Sequence, residues 1–278
     1  MMRLAFSNLA LPTDPEAGTW RALRSAGVTG IEIAPTRIAP WADLTVEALL
    51  AYRRMLEGEG LQASSLQALC FGVPGLSLLG DVSEFDRLSE HLRHVFSMAQ
   101  QLGAGVCVFG SPAARRRGIM ARGDAFALAI QRFQRLGQIA ETEGAVLGLE
   151  PVPPVYGSDF LETWEEVRSL VEAVDKPGVR VHLDTGCVAL AAGDIAEAVL
   201  SCAHVLCHFH VAEPELKPIV DSLLEHAQAA TALAAINYAG WISIEMRALE
   251  PPSLETLLQS VNTVKRLYES VTDKGGMA

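Results

Sequence analysis

Long hydrophobic runs are what this chain conspicuously lacks. Half of its 278 residues are hydrophobic, yet no stretch reaches the ~20 apolar residues that a membrane-spanning helix needs, so no membrane partner is expected. The opening "MMRLAFSNLALP" has one Arg, an apolar run broken by Ser7 and Asn8, and no clear cleavage site, which argues against a secretory leader. Cysteine is scarce and odd in number: Cys70, Cys107, Cys187, Cys202 and Cys207, with no C-x-x-C pair. That excludes a disulfide framework and makes a reduced, cytoplasmic setting the expectation. Basic residues are in deficit, 22 Lys and Arg against 33 Asp and Glu for a net charge of −11, which argues against nucleic acid as a partner because duplex binding needs a basic face. No Ser/Gly/Pro-rich linker or low-complexity tract divides the chain, so one domain over residues 1–278 is expected. No strand is followed by a Gly-rich dinucleotide fingerprint, which weighs against a doubly wound sheet.

What the chain does contain is alternation. Short β-like runs occur at 3–9, 30–34, 61–67, 105–110, 145–150, 179–184, 204–210 and 241–246, with longer helical patterns between them. Helix starts are marked by Thr45, Ser83 and Thr163, the last with Glu166 three residues on as a capping box. Glycines 27, 60, 103, 144 and 240 are read as helix-terminating turns. Eight strand–helix units of about 35 residues each are the scale of a (β/α)8 TIM barrel, in which function belongs at the C-terminal ends of the strands.

Four of the late strands finish in groups able to bind metal or move protons: Glu150 in "LGLEP", Asp184 in "HLDTG", His210 in "HFHVAEP" and Glu245 in "SIEMR". Residues two apart on a strand share a face. Gly148/Glu150, His182/Asp184, His208/His210 and Ser243/Glu245 are therefore like-oriented pairs, with the first members one layer deeper. Three carboxylates converging without a counter-charge would cost several kcal/mol, and one divalent cation is the simplest compensation. Carboxylates with one imidazole are hard-to-borderline donors, which favours Mn²⁺, with Mg²⁺, Co²⁺ or Zn²⁺ as alternatives. The bland alternative is that each acid caps a helix or meets a surface arginine.

At this point the segments "GIEIAPTRIAPW", "SLQAL", "VFGSP", "LGLEPVPPVYGSDF", "VHLDTG", "HFHVAEP" and "YAGWISIEM", in this order, give the chain a family likeness over nearly its whole length. It resembles the xylose isomerase-like barrel superfamily, and within it the sugar isomerase/epimerase branch that includes ketose 3-epimerases. The resemblance implies that Glu150, Asp184, His210 and Glu245 hold one divalent metal. It implies that Glu150 and Glu245, on opposite faces of a sugar or sugar phosphate, move a carbon-bound proton through an enediolate, and that homo-oligomers are common. It also marks a departure: Cys187 stands where many members carry a substrate-binding His. That thiol is read either as a small pocket wall or as a reactive group.

Several further residues are candidates. His182 and His208 are expected beneath the metal as supports rather than ligands. Glu32 at the end of strand two is expected to bind a substrate hydroxyl or to form a structural ion pair, and Gln67 at the end of strand three to serve a hydroxylated ligand. Arg115, Arg116 and Arg117 are either a solvated loop or an anion clamp that Lys217 could join. Glu213 and His226 are placed at the site mouth, and Tyr156 and Phe160 are candidates for the pocket wall. The main reading is a metal-dependent sugar isomerase or epimerase. The alternatives are a lyase or dehydratase on a cyclic or keto acid, a phosphodiesterase of the AP-endonuclease type, and a barrel that binds a ligand without turnover. The phosphodiesterase would need more histidines after strands three and four, where the chain has Gln67 and Ser111.

Overall fold

The structure is a computed structural model and describes residues 3–12, 15–220, 224 and 226–272. Its strands are β1 (Arg3–Ser7), β2 (Gly30–Ile33), β3 (Gln62–Leu66), β4 (Val106–Phe109), β5 (Val146–Leu149), β6 (Val179–Asp184), β7 (Leu206–Val211) and β8 (Trp241–Ile244). Each pairs in parallel with the next, and β1 closes on β8. The helices are α1 (Ala17–Ala26), α2 (Val46–Gly58), α3 (Val82–Leu102), α4 (Arg122–Thr142), α5 (Trp164–Val174), α6 (Thr185–Leu190), α7 (Ile195–Ser201), α8 (His226–Ala235) and α9 (Leu254–Thr272). The chain is thus a (β/α)8 TIM barrel, with two helices, α6 and α7, in the β6–β7 crossover.

Strand alternation sorts the residues into two environments. Phe6, Ile31, Ile33, Leu66, Phe109, Leu147, Leu149, Val181, Leu183, Phe209 and Ile244 are buried without exposure and belong to the apolar core. In that layer Phe109 of β4 meets Phe133 of α4 edge-on at 6.0 Å between ring centroids, a favoured aromatic geometry. The opposite face of the strands is small or polar: Ser7, Glu32, Ser65, His182, Asp184, His208, His210 and Ser243, all buried. At the N-terminal floor, the Trp241 indole fills the barrel beneath the Arg3 guanidinium, 3.7 Å from the ring centroid. Gly30 is required there, because a Cβ would overlap that indole.

Register then aligns the polar residues. Ser7 pairs with Glu32 and Glu32 with Ser65, while His182 pairs with His208, Asp184 with His210 and His210 with Ser243. Register shifts fall between Ile31 and Glu32 and between Val181 and His182. Such irregularities re-aim side chains, often beside functional sites.

The helix starts differ from the expected ones in detail. Ser83 lies inside α3; the cap is Asp81, whose carboxylate accepts from the Glu84 N–H at 2.8 Å while Glu84 accepts from the Asp81 N–H. Asp81 wins because Glu84 stands three residues on, so that each side chain accepts from the other's backbone N–H and the box closes. Thr163 does cap α5, but Glu166 accepts from the Glu162 N–H rather than that of Thr163. Gly27 and Gly103 end α1 and α3 in the left-handed conformation. Gly240 does not end α8; Asn237 takes the left-handed position (φ 52°) after that helix.

Candidate active site and metal centre

Asp184 is the last residue of β6 and the cap of α6. Its Oδ1 accepts from the Cys187 N–H at 2.6 Å, which fixes the carboxylate at the helix start. The other oxygen, Oδ2, is buried, accepts no hydrogen bond among the described residues, and faces His210 Nδ1 at 3.6 Å. His210 lies on β7, and its Nδ1 is also 3.1 Å from Glu245 Oε2. Glu150 and Glu245 stand one residue past β5 and β8. They remain anchored to the sheet through their N–H groups, which donate to Phe109 O at 3.3 Å and Val211 O at 3.0 Å. Glu150, Asp184, His210 and Glu245 each offer one ligand atom within 4.8 Å of the others.

The electrostatics match a cation site. Burial pushes the Glu150 carboxyl up to about 8, and the nearby charges of Asp184 and Glu245 add to the shift. Burial also raises the Glu245 carboxyl, against the pull of His210. His210 is held well above the ordinary imidazole range: burial opposes its charge, but Glu32 and Glu245 favour it. Buried like-charged carboxylates hold protons unless a cation relieves them. Three carboxylates with one imidazole, one oxygen left without a donor, fit a divalent ion such as Mn²⁺, Mg²⁺ or Co²⁺. Gly110 contributes by absence, since a Cβ there would collide with the Glu150 carboxylate.

One layer down, the same residue types are arranged differently. Glu32 is buried, and its Oε1 accepts from Ser65 Oγ at 2.8 Å and lies 3.1 Å from His208 Nε2. Its Oε2 accepts from Ser243 Oγ at 2.7 Å and lies 2.7 Å from His210 Nε2. Although burial opposes ionisation, His210 and His208 hold this carboxyl well below the usual range. Glu32 therefore does not reach a substrate hydroxyl: both oxygens are committed inside the barrel, and the ion-pair alternative describes it. His208 shares its Nε2 between Glu32 and Ser65. His182 packs edge-on against His210 with ring centroids 4.1 Å apart, and neither of its ring nitrogens is hydrogen-bonded among the described residues. His182, His208 and His210 form a second group of closely spaced donors, sharing His210 with the upper one.

Other candidates move further from their expected places. Arg115 is fully buried, neither solvated nor open to an anion. Its guanidinium donates to the carbonyls of Glu150 at 2.7 Å and Leu161 at 3.3 Å, supporting the β5 end from behind. Arg116 donates to the Gly157 carbonyl at 3.4 Å, and Arg117 to the carbonyls of Asp159 and Met120. Lys217 does not join Arg115; it is exposed and pairs with Glu215 at 3.5 Å. Gln67 is buried, with Nε2 donating to Ser7 Oγ at 2.5 Å and Oε1 without a donor among the described residues. Glu213 is buried against His226 Nε2 at 3.0 Å, and His226 Nδ1 lies 3.4 Å from the Tyr268 hydroxyl. Tyr156 accepts from the Glu215 N–H at 2.9 Å. Phe160 is buried in the apolar core and lines a recess beside Arg122, Phe126 and Glu166 rather than one at the Glu150 cluster.

Cys187 lies against the site, with Sγ 3.7 Å from Glu150 Oε1. Burial, Asp184 and Glu150 push its thiol well above the ordinary value, so it stays protonated and donates weakly to Glu150. A recess of about 800 Å³, lined in part by Ala68, Phe71, Leu76, Ser111 and Ala114, opens between the loops after β3 and β4. Ser65, Gly110 and Asp159 were not singled out in the sequence. Ser65 is two residues before Gln67 and so on its face, the one signal that could have found it. Gly110 ends the β4 pattern. Asp159, whose carboxylate accepts from the N–H groups of Arg117 at 2.7 Å and Gly118 at 2.8 Å, carries no local mark.

The family model described as xylose isomerase-like TIM barrel matches residues 20–267. An L-ribulose 3-epimerase of Methylomonas sp. (strain DH-1) is 26% identical over 239 residues, covering 82% of this chain and 78% of that protein. Among solved structures, D-psicose 3-epimerase with D-tagatose from Clostridium cellulolyticum H10 superposes with a TM-score of 0.81 at 14% identity, covering 98% of this chain and 99% of that one. The apo form of 3-keto-D-glucoside 4-epimerase from E. coli gives 0.75 at 16% identity, covering 97% and 100%.

Proposed function

Given that the chain belongs to the xylose isomerase-like TIM-barrel family, we propose that it is a divalent-metal-dependent sugar epimerase or isomerase that moves a proton at a carbon beside a ketone. The observation that carries this reading is the cluster of Glu150, Asp184, His210 and Glu245, in which Asp184 Oδ2 is buried and free of donors. These four residues would hold the ion. Bound there, a divalent ion supplies Lewis-acid polarisation of substrate oxygens next to the reacting carbon.

The remaining work falls to the chain's own groups. Glu150 and Glu245 enter from strands on different sides of the cluster, and they serve as the proton-accepting and proton-returning pair. In the metal-free protein burial and its like-charged neighbours raise the Glu150 carboxyl to about 8; a bound cation would relieve that repulsion and leave the carboxylate free to accept a proton. Asp184 is held by α6 and does not need to exchange a proton. The Cys187 thiol donates to Glu150 Oε1 and steadies the orientation of that carboxylate.

The substrate we favour is an uncharged ketose. Arg115 is spent on backbone carbonyls, Arg116 and Arg117 on the loop around Asp159, and Lys217 on Glu215. None of the four expected cations is presented to the cluster, which weighs against a phosphorylated sugar and against a keto acid handled by a lyase. The activities for which the similar L-ribulose and D-psicose 3-epimerases are named agree with a free ketose. The test is solvent exchange: Mn²⁺-loaded protein in deuterated water is given free ketoses, ketose phosphates and keto acids. Deuterium should enter one carbon of a free ketose. Exchange confined to a phosphate or a keto acid, or hydrolysis of an abasic-site oligonucleotide with no exchange on any sugar, overturns the reading.

A further inference from the structure

Below the proposed ligand cluster lies a carboxylate with no access to substrate. Glu32 faces into the barrel with Gly30 on the inner side of β2, and the extra residue of the adjacent register shift, Ser64 on β3, brings Ser65 opposite it. Four groups converge on its two oxygens: Ser65 Oγ, His208 Nε2, Ser243 Oγ and His210 Nε2. They come from β3, β7 and β8, so one side chain ties together three strands. An ionised carboxylate is costly to bury unless it is paired and hydrogen-bonded; Ser65, Ser243 and His208 are in hydrogen-bond geometry with this one, and His210 Nε2 faces it as an ion-pair neighbour 2.7 Å away.

His210 is the side chain that links the two layers. Its Nε2 is 2.7 Å from Glu32 Oε2, and its Nδ1 faces Asp184 Oδ2 and Glu245 Oε2 at 3.6 and 3.1 Å. A carboxylate at Nε2 keeps the ring proton on that nitrogen, which leaves the Nδ1 lone pair directed at the ligand cluster. His182 sets the ring plane from another side by edge-on packing. We propose that Glu32 is a positioning residue of the site, fixing the tautomer and orientation of His210 so that Nδ1 serves as a ligand. The inference rests on the metal-site reading above but not on the identity of the substrate. Glu32 touches neither metal nor sugar. Its contribution is read in metal affinity and in the state of the His210 ring.

The test uses full-length wild type, E32Q, E32D and S243A, each with secondary structure checked by circular dichroism. Mn²⁺ affinity is measured by calorimetry. Removing such an outer partner typically weakens metal binding about 10- to 100-fold, so E32Q should lose that much. E32D, which keeps the charge at a shorter reach, should recover part of it, and S243A, which removes only one donor to Glu32, should lose only a few-fold. Nitrogen-15 spectra of the Zn²⁺-loaded proteins provide the second readout. Wild type should show a metal-bound Nδ1 and a strongly hydrogen-bonded Nε2–H on His210, with the latter signature lost in E32Q. Equal Mn²⁺ affinity and an unchanged His210 spectrum in E32Q overturn the inference. Should E32Q fail to fold, unchanged affinity and spectrum in both E32D and S243A overturn it equally. Weakened metal binding without deuterium exchange on any ketose supports the positioning role and overturns the catalytic reading alone. No stoichiometric metal in wild type overturns both.

Discussion

Glu32, fully buried, and Glu150, half-buried, are glutamates at the C-terminal ends of barrel strands, and they are in opposite states. Glu32 receives donors at both oxygens and is held ionised by two histidines. Glu150 is crowded by Asp184 and Glu245, and its carboxyl is pushed up to about 8. The two layers share a residue, His210, and are built from the same side-chain types. A satisfied carboxylate is a brace, whereas a carboxylate short of donors among like charges is built to meet something that arrives from outside. Within the lower layer Glu32 is satisfied by side chains of the fold, whereas the upper layer is the one we propose receives a cation.

Substitutions at the two layers should separate accordingly. The largest effect is expected from E150Q or E245Q, each of which removes one member of the proposed proton-transfer pair. Solvent deuterium uptake by the substrate should fall by about 10²–10⁴-fold, the usual contribution of general acid–base groups, with the far-ultraviolet spectrum unchanged. Near-wild-type exchange in both variants would place the chemistry elsewhere.

Next comes the metal itself. D184N removes the charge from a carboxylate whose buried Oδ2 accepts no hydrogen bond among the described residues, and the E150Q/D184N double variant removes two charges. Both should weaken Mn²⁺ binding by more than the about 10- to 100-fold typical of losing an outer partner, and calorimetry would show whether they do. Equal affinity in the double variant and wild type would dissolve the distinction between the layers.

Acidity offers a subtler contrast. The Glu150 carboxyl is raised in the folded, metal-free protein from an ordinary value of 4.5 to about 8. The folded state therefore binds this proton more tightly than the unfolded chain does. The stabilisation is fully present below about pH 4.5 and is lost as pH rises through about 8. Metal-free wild type should show a thermal midpoint that declines across that window more steeply than in E150Q. Identical slopes would mean that Glu150 is not under strain in the folded protein.

Much of this was legible in the chain, and the rest failed for identifiable reasons. Period-two alternation was enough to set Glu150, Asp184, His210 and Glu245 at the C-terminal ends of late strands, and the structure brings them within 4.8 Å. Strand β6 runs over 179–184 as expected. Glu32 was visible as a strand-end acid, but its partners lie on strands remote in sequence, so no local pattern could say that its oxygens were already occupied. Arg115 misled for the opposite reason. Three consecutive arginines look like a solvated run, yet the short turn after β4 turns the first one inward onto the carbonyls of Glu150 and Leu161. Asp81 and Ser83 are both good capping residues, and only the reach of Glu84 decides between them.

The smallest predicted effect is at Cys187. Its thiol approaches Glu150 at 3.7 Å, a weak contact, so C187A should change exchange rates less than tenfold while leaving Mn²⁺ affinity close to wild type. A loss as large as that of E150Q would promote the thiol from a neighbour of the proton-transfer group to part of it.

The central claim is that the upper layer, and not the three-histidine group beneath it, receives the cation. A crystal of the protein soaked in Mn²⁺ and measured for anomalous scattering tests this most directly. The account predicts one strong peak about 2.0–2.6 Å from oxygens of Glu150, Asp184 and Glu245 and from Nδ1 of His210, with Glu32 outside the coordination shell. A peak held by His182, His208 and His210, or no peak in the barrel, would contradict it.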